Sequence, residues 1–100
     1  MEQAKATVEI DTAFCIVTRW TFAPNTATGW HRHDKDYVVV PTFPGDLPLE
    51  LPDGSTVVNP ISAGVPYARP AGVEHDVQNL SGAVVEFLEI EIKDRPRTPE

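Results

Sequence analysis

From residue 24 onward, ten prolines and six glycines interrupt the chain at short intervals, and a helix interior tolerates neither cheaply. Between these breaks the apolar residues alternate with period two and show no helical recurrence. Many short strands joined by turns follow, and these build a β-sandwich or a barrel. Before the first proline, residues 14–22 already alternate. Phe14, Ile16, Trp20 and Phe22 share one face, Arg19 and Thr21 the other, so Trp20 reads as core. Residues 7–10 form a short edge strand and residues 37–40 another strand, ended by Pro41, Pro44 and Gly45. Segments 47–51 and 55–58 flank Pro52-Asp53-Gly54, a hairpin turn with glycine where a positive φ is needed. Asn59-Pro60 and Ala63-Gly64 are further turn signals. His75, Val77 and Asn79 share a face of the next strand. The longest strand, 83–93, ends with Glu89 and Glu91 opposite aliphatic residues, so the carboxylate side is expected to be wet there.

The chain is long enough for one domain, spanning 1–100. Residues 1–6 are polar and expected to be loose, and 94–100, with two prolines, to be a frayed tail. A formal charge of −7 leaves no basic stripe for a phosphate backbone, which excludes nucleic acid as an expected partner. Cys15 has no second cysteine to pair with and reads as a small buried hydrophobe. No stretch reaches membrane-spanning length and the first ten residues lack the apolar run of a signal peptide. No membrane partner and a cytoplasmic location are expected. Small barrels gain from pairing, so a homodimer is expected as well.

The chemistry-bearing residues concentrate in Gly29-Trp30-His31-Arg32-His33-Asp34-Lys35-Asp36-Tyr37. On a strand, His31 and His33 project from the same face, and a neutral imidazole is a good ligand for a divalent transition metal. By themselves two such histidines also fit a solvated strand. The third histidine of the chain, His75, follows a turn at Pro70-Ala71-Gly72. Gly64, five residues, Pro70, one residue, Gly72, two residues, His75, three residues, Asn79 resembles the second signature motif of the cupin family at every position. Gly29-Trp30-His31-Arg32-His33 resembles the histidine part of the first. The likeness runs from about residue 14 to 92. Within that family, Thr28 to His33, Asp36 to Pro41 and Gly72 to Val77 look like the small cupins grouped with β-alanine degradation proteins, a pathway association that specifies no reaction.

The resemblance implies an all-β fold, a small jelly-roll barrel, in preference to an immunoglobulin-like sandwich. It also implies a metal centre of His31, His33 and His75, holding a divalent ion such as Fe, Mn, Ni, Zn or Cu. The family pattern places a glutamate four or five residues after the second histidine. Here those places hold Tyr37 and Val38. Three arrangements stay open: Tyr37 near the ion, Asp36 re-aimed by a bulge, or a degenerate site. Tyr37 and Arg69 are the candidate catalytic residues. Arg69 and Arg32 could each engage an acidic substrate through a guanidinium fork, while Tyr67, Gln78 and Glu86 could orient ligands. Asn79 serves a turn or the interior. The implied function is metal-dependent chemistry on a small organic molecule, of oxygenase or isomerase type. The alternative is a non-enzymatic small-ligand-binding or dimerisation cupin, which in the dimerisation case would have a filled interior.

Overall fold

The computed structural model describes residues 1–94. The strands are β1 (Glu2–Gln3), β2 (Lys5–Asp11), β3 (Cys15–Phe22), β4 (Thr26–Arg32), β5 (Tyr37–Phe43), β6 (Gly45–Glu50), β7 (Thr56–Ile61), β8 (Tyr67–Arg69), β9 (Glu74–Asn79) and β10 (Val85–Ile92). They make two five-stranded sheets, ordered β1-β4-β9-β6-β7 and β2-β3-β10-β5-β8. Every ladder is antiparallel except the short β1–β4 pair. The chain passes back and forth between the sheets, winding a jelly-roll barrel round a shared interior. Among the described residues there is no helix, and so none long and apolar enough to cross a membrane.

The core sits where the inner faces meet. Phe22, Leu47, Val39 and Val85 are all less than 2% exposed, and burying each such side chain contributes about 1.5–3 kcal/mol. The rings of Phe22 and Phe87 lie 5.5 Å apart, and Trp20 packs against this cluster as its alternation predicts. The hairpin at 52–54 closes through Gly54 N–H to Leu51 C=O (3.0 Å) and Leu51 N–H to Ser55 C=O (2.9 Å). Gly54 has φ 84°, a left-handed conformation that costs a residue without a Cβ little.

The structure departs from the sequence reading in four places. Residues 1–6 are paired: Glu2 and Gln3 run beside Thr26 and Ala27, Ala4 is 3% exposed, and Lys5 begins β2. Main-chain bonds such as Ala4 N–H to Ala27 C=O (2.8 Å) hold this polar stretch without needing apolar side chains. β5 does not stop at Pro41 but runs through it. The β5–β10 register shifts between Glu86 and Phe87, the latter opposite Pro41, and such an irregularity accommodates a residue with no N–H. Asn59-Pro60 lies within β7, an edge strand, and makes no turn. On β10, Glu89 shares its face with buried Val85 and Phe87 and is 9% exposed, so the carboxylate side faces inward. The tail expected over 94–100 lies, from 95 on, outside the described residues.

Candidate metal centre

β4 and β9 lie side by side, with His31 directly opposite His75. His33 falls one residue past β4, yet the pairing continues through it. Its N–H donates to Val73 C=O (2.9 Å) and its C=O accepts from Gly72 N–H (2.8 Å). Strand alternation therefore persists, and all three imidazoles leave the same inner face. Gly72, at φ 98°, makes the turn that brings the chain into β9.

The three rings meet edge to face, with centroids 4.7 to 5.3 Å apart. His31 Nε2 stands 3.0 Å from His33 Nε2, and His75 Nε2 stands 3.3 Å from it. The Gly29 carbonyl lies 2.9 Å from His31 Nδ1. A carbonyl only accepts, so Nδ1 carries the proton and Nε2 presents its lone pair. Burial, followed by the charge of His31, lowers His33 to about 4. His75 is also lowered to about 4, by burial first and then by His31 and His33. Both are therefore neutral near pH 7, the form that ligates.

This donor set fits a divalent transition metal. Nitrogens held about 2.0–2.1 Å from one ion, at angles between right and tetrahedral, stand roughly 2.9–3.4 Å from each other. The two spacings given above fall in that interval. The three ligating atoms all lie within 4.8 Å of one another.

The remaining candidates separate. Tyr37 is brought to the centre as a ring stacked on His33, 3.9 Å between centroids and 20° between planes. Burial, and then the Glu89 carboxylate, raises its phenol well above the usual range. It stays a neutral hydroxyl that braces the His33 ring. Asp36 is not brought to the imidazoles: it is exposed and its Oδ1 accepts from Ala71 N–H (2.8 Å). No bulge turns it inward, and its carboxylate is occupied in securing the 70–72 turn. Arg69 is exposed but lines the cavity, with its guanidinium 4.7 Å from the Tyr67 ring centroid. Arg32 is exposed, does not line the cavity and lies beside Gly72. Glu86 is bound on the outer face by Arg19, Thr21 and Thr42, and Gln78 donates to Glu50 and Asp76. Neither reaches the site. Asn79 serves both of its expected roles. It is fully buried, donates to Phe22 and Ala83 carbonyls, and accepts from Ser81.

Beside the imidazoles lies a cavity of about 200 Å³ with walls that include Val39, Leu47, Leu49, Val77 and Phe87. The filled interior of a pure dimerisation barrel is absent. Glu89 also lines this space, and it is the residue the sequence reading missed. Its parity with Val85 and Phe87 was the available signal. Burial, then repulsion from Glu91, raises its carboxyl to about 7.

No family model matches the chain. It is 54% identical over 91 residues, covering 91% of this chain and 95% of that protein, to the β-alanine degradation protein BauB of Pseudomonas aeruginosa. The crystal structure of a cupin domain from Bordetella pertussis Tohama I superposes with a TM-score of 0.90 at 50% identity, covering 93% of this chain and 96% of that one. The polyketide cyclase RemF of Streptomyces resistomycificus superposes with a TM-score of 0.72 at 22% identity, covering 96% and 71%. At that lower identity the likeness is one of fold alone.

Proposed function

We propose, on the ground that this chain belongs to the cupin family and is a small cupin of the BauB kind, that it is a divalent-metal protein acting on a small organic molecule. His31, His33 and His75 would hold the ion. Three protein ligands leave open positions for a substrate oxygen, which the ion would polarise as a Lewis acid. The apolar walls would shield a bound substrate from solvent beside the rings. Arg69, at the cavity wall, would orient an acidic group, and the relative's name makes a small carboxylic acid the natural class. Oxygenase or isomerase chemistry is compatible with this arrangement.

The observation that carries the reading is the convergence of Nε2 atoms, at 3.0 and 3.3 Å, from both sides of His33 beside a cavity. A second reading, a non-enzymatic ligand-binding cupin with a degenerate centre, draws support from the absence of a carboxylate at the family's place on the histidine strand. Elemental analysis of protein purified without a histidine tag separates them. About one divalent ion per chain is expected in the wild type, and none in the variant His31→Ala/His75→Ala, with the far-ultraviolet β signature unchanged in both. A wild type that carries no metal and refuses to reload would replace the first reading by the second.

A further inference from the structure

Three neutral imidazoles give a dication donors but no negative charge. An ion enclosed in a low-dielectric cavity therefore needs an anion nearby, or it must draw one from solution. The histidine strand supplies none, since Tyr37 is a stacked phenol and Asp36 is bonded outside to Ala71. β10 does. Glu89 points inward by parity with Val85 and Phe87, is 9% exposed, and lines the same cavity as the histidines. Its ligating oxygen lies within 4.8 Å of a His33 ring nitrogen. Among the described residues, no hydrogen bond or ion pair engages its carboxylate.

Resting on the metal reading above, we propose that Glu89 is the counter-charge of this centre, delivered from the opposite sheet in place of the glutamate the histidine strand lacks. The carboxylate belongs to a donor group with His33 and Glu91, distinct from the group of three imidazoles. From beside His33 it would balance the charge of a bound ion. A buried acid with no partner among the described residues is then explained as one whose partner is the cation.

The test is titration of Zn²⁺ into the full chain after chelation, comparing wild type with E89Q, E89D and E86Q. Glu89→Gln keeps shape and removes charge, and should weaken Zn²⁺ binding about 10–100-fold, the usual effect of losing such a neighbouring carboxylate. Glu89→Asp keeps the charge and should stay several-fold closer to wild type than E89Q. Glu86→Gln, on the outer face of the same strand, should bind Zn²⁺ nearly as tightly as wild type, and a loss equal to that of E89Q overturns the proposal. Equal affinity in E89Q and wild type overturns the proposal while leaving the three-histidine site standing. An E89D loss as large as that of E89Q also overturns it, because packing and not charge would then be responsible. A wild type that takes up no Zn²⁺ overturns both this proposal and the reading on which it rests.

Discussion

Glu86 and Glu89 stand on the same strand, β10, and on opposite faces of it. Outside, Glu86 is enclosed by protein donors: Arg19 Nη1 at 2.6 Å, Thr42 Oγ1 at 2.8 Å and Thr21 Oγ1 at 2.9 Å. Burial acts to raise its carboxyl, but the bonds from Thr42, Arg19 and Thr21 together bring it below the usual range. Inside, Glu89 has no such donors among the described residues, and burial raises it to about 7. The outer face satisfies its own polar groups. Among the described residues, the inner face leaves a carboxylate, three imidazole nitrogens and a cavity open, as the proposed ion and substrate would require.

The contrast should appear most strongly in the pH dependence of the metal-free protein. His33 and His75 have an ordinary value of 6.5 and are lowered to about 4. Between those limits the unfolded chain binds protons that the folded one does not, so acidification removes stability. Glu89 moves the other way, from 4.5 to about 7. Within its window the folded chain holds a proton the unfolded one lacks, so acidification adds stability. Near pH 7 the opposing changes almost cancel, so stability varies little there. Below 6.5 the two histidines outweigh it, and these three groups together cost at most about 1.4 kcal/mol per pH unit. Glu89→Gln should remove that offset and make the loss roughly twice as steep. Denaturant titrations on chelator-treated protein at stepped pH read this directly. Identical profiles for variant and wild type would mean that Glu89 is solvated, and the two faces of β10 would no longer differ.

A smaller effect sharpens the same contrast. Replacing an unpaired buried carboxylate by an apolar residue among Val39 and Phe87 removes a desolvation penalty. Glu89→Leu should therefore stabilise the metal-free protein by about 1–3 kcal/mol near neutral pH, seen as a higher denaturant midpoint. Saturating zinc should shrink that advantage, because the wild-type carboxylate then has its cation. A midpoint below wild type without metal would show that Glu89 already has a favourable environment.

The histidine face was legible because alternation and turn chemistry act locally. His75, Val77 and Asn79 all fall on the buried side of β9. Tyr37 lies inward with His33, and Asp36 lies outward, as parity alone places them. What alternation cannot say is which of two faces turns inward. On β10 both faces carry glutamates, and the default that charged residues sit in water chose the wrong side for Glu89 and Glu91. The pairing of β1 was hidden for a related reason. Two residues joined to β4 by main-chain contacts leave no side-chain pattern, and buried Ala4 is too small to mark one. Pro41 looked like a strand end because its missing N–H matters only if a partner needs it, and the register of the neighbouring strand decides that.

The smallest effect belongs to the outer face, with the opposite sign. Glu86→Leu removes an acceptor from Arg19, Thr21 and Thr42. Arg19 keeps its two contacts to Glu9, at 3.0 and 3.2 Å, and its side chain is 35% exposed, so water can take up much of what it loses. Glu86 itself has a side chain only 12% exposed, and the hydroxyls of Thr21 and Thr42 are left facing leucine. The balance is a destabilisation of about 1 kcal/mol, measured by the same denaturant titration. Glu86→Gln, which keeps an oxygen for one threonine and loses the charge facing Arg19, should fall between leucine and wild type. Leucine at 86 and leucine at 89 thus move stability in opposite directions on one strand. If both stabilised the protein, the bonds closing the outer network would count for nothing, and partner satisfaction would not be what distinguishes the two faces.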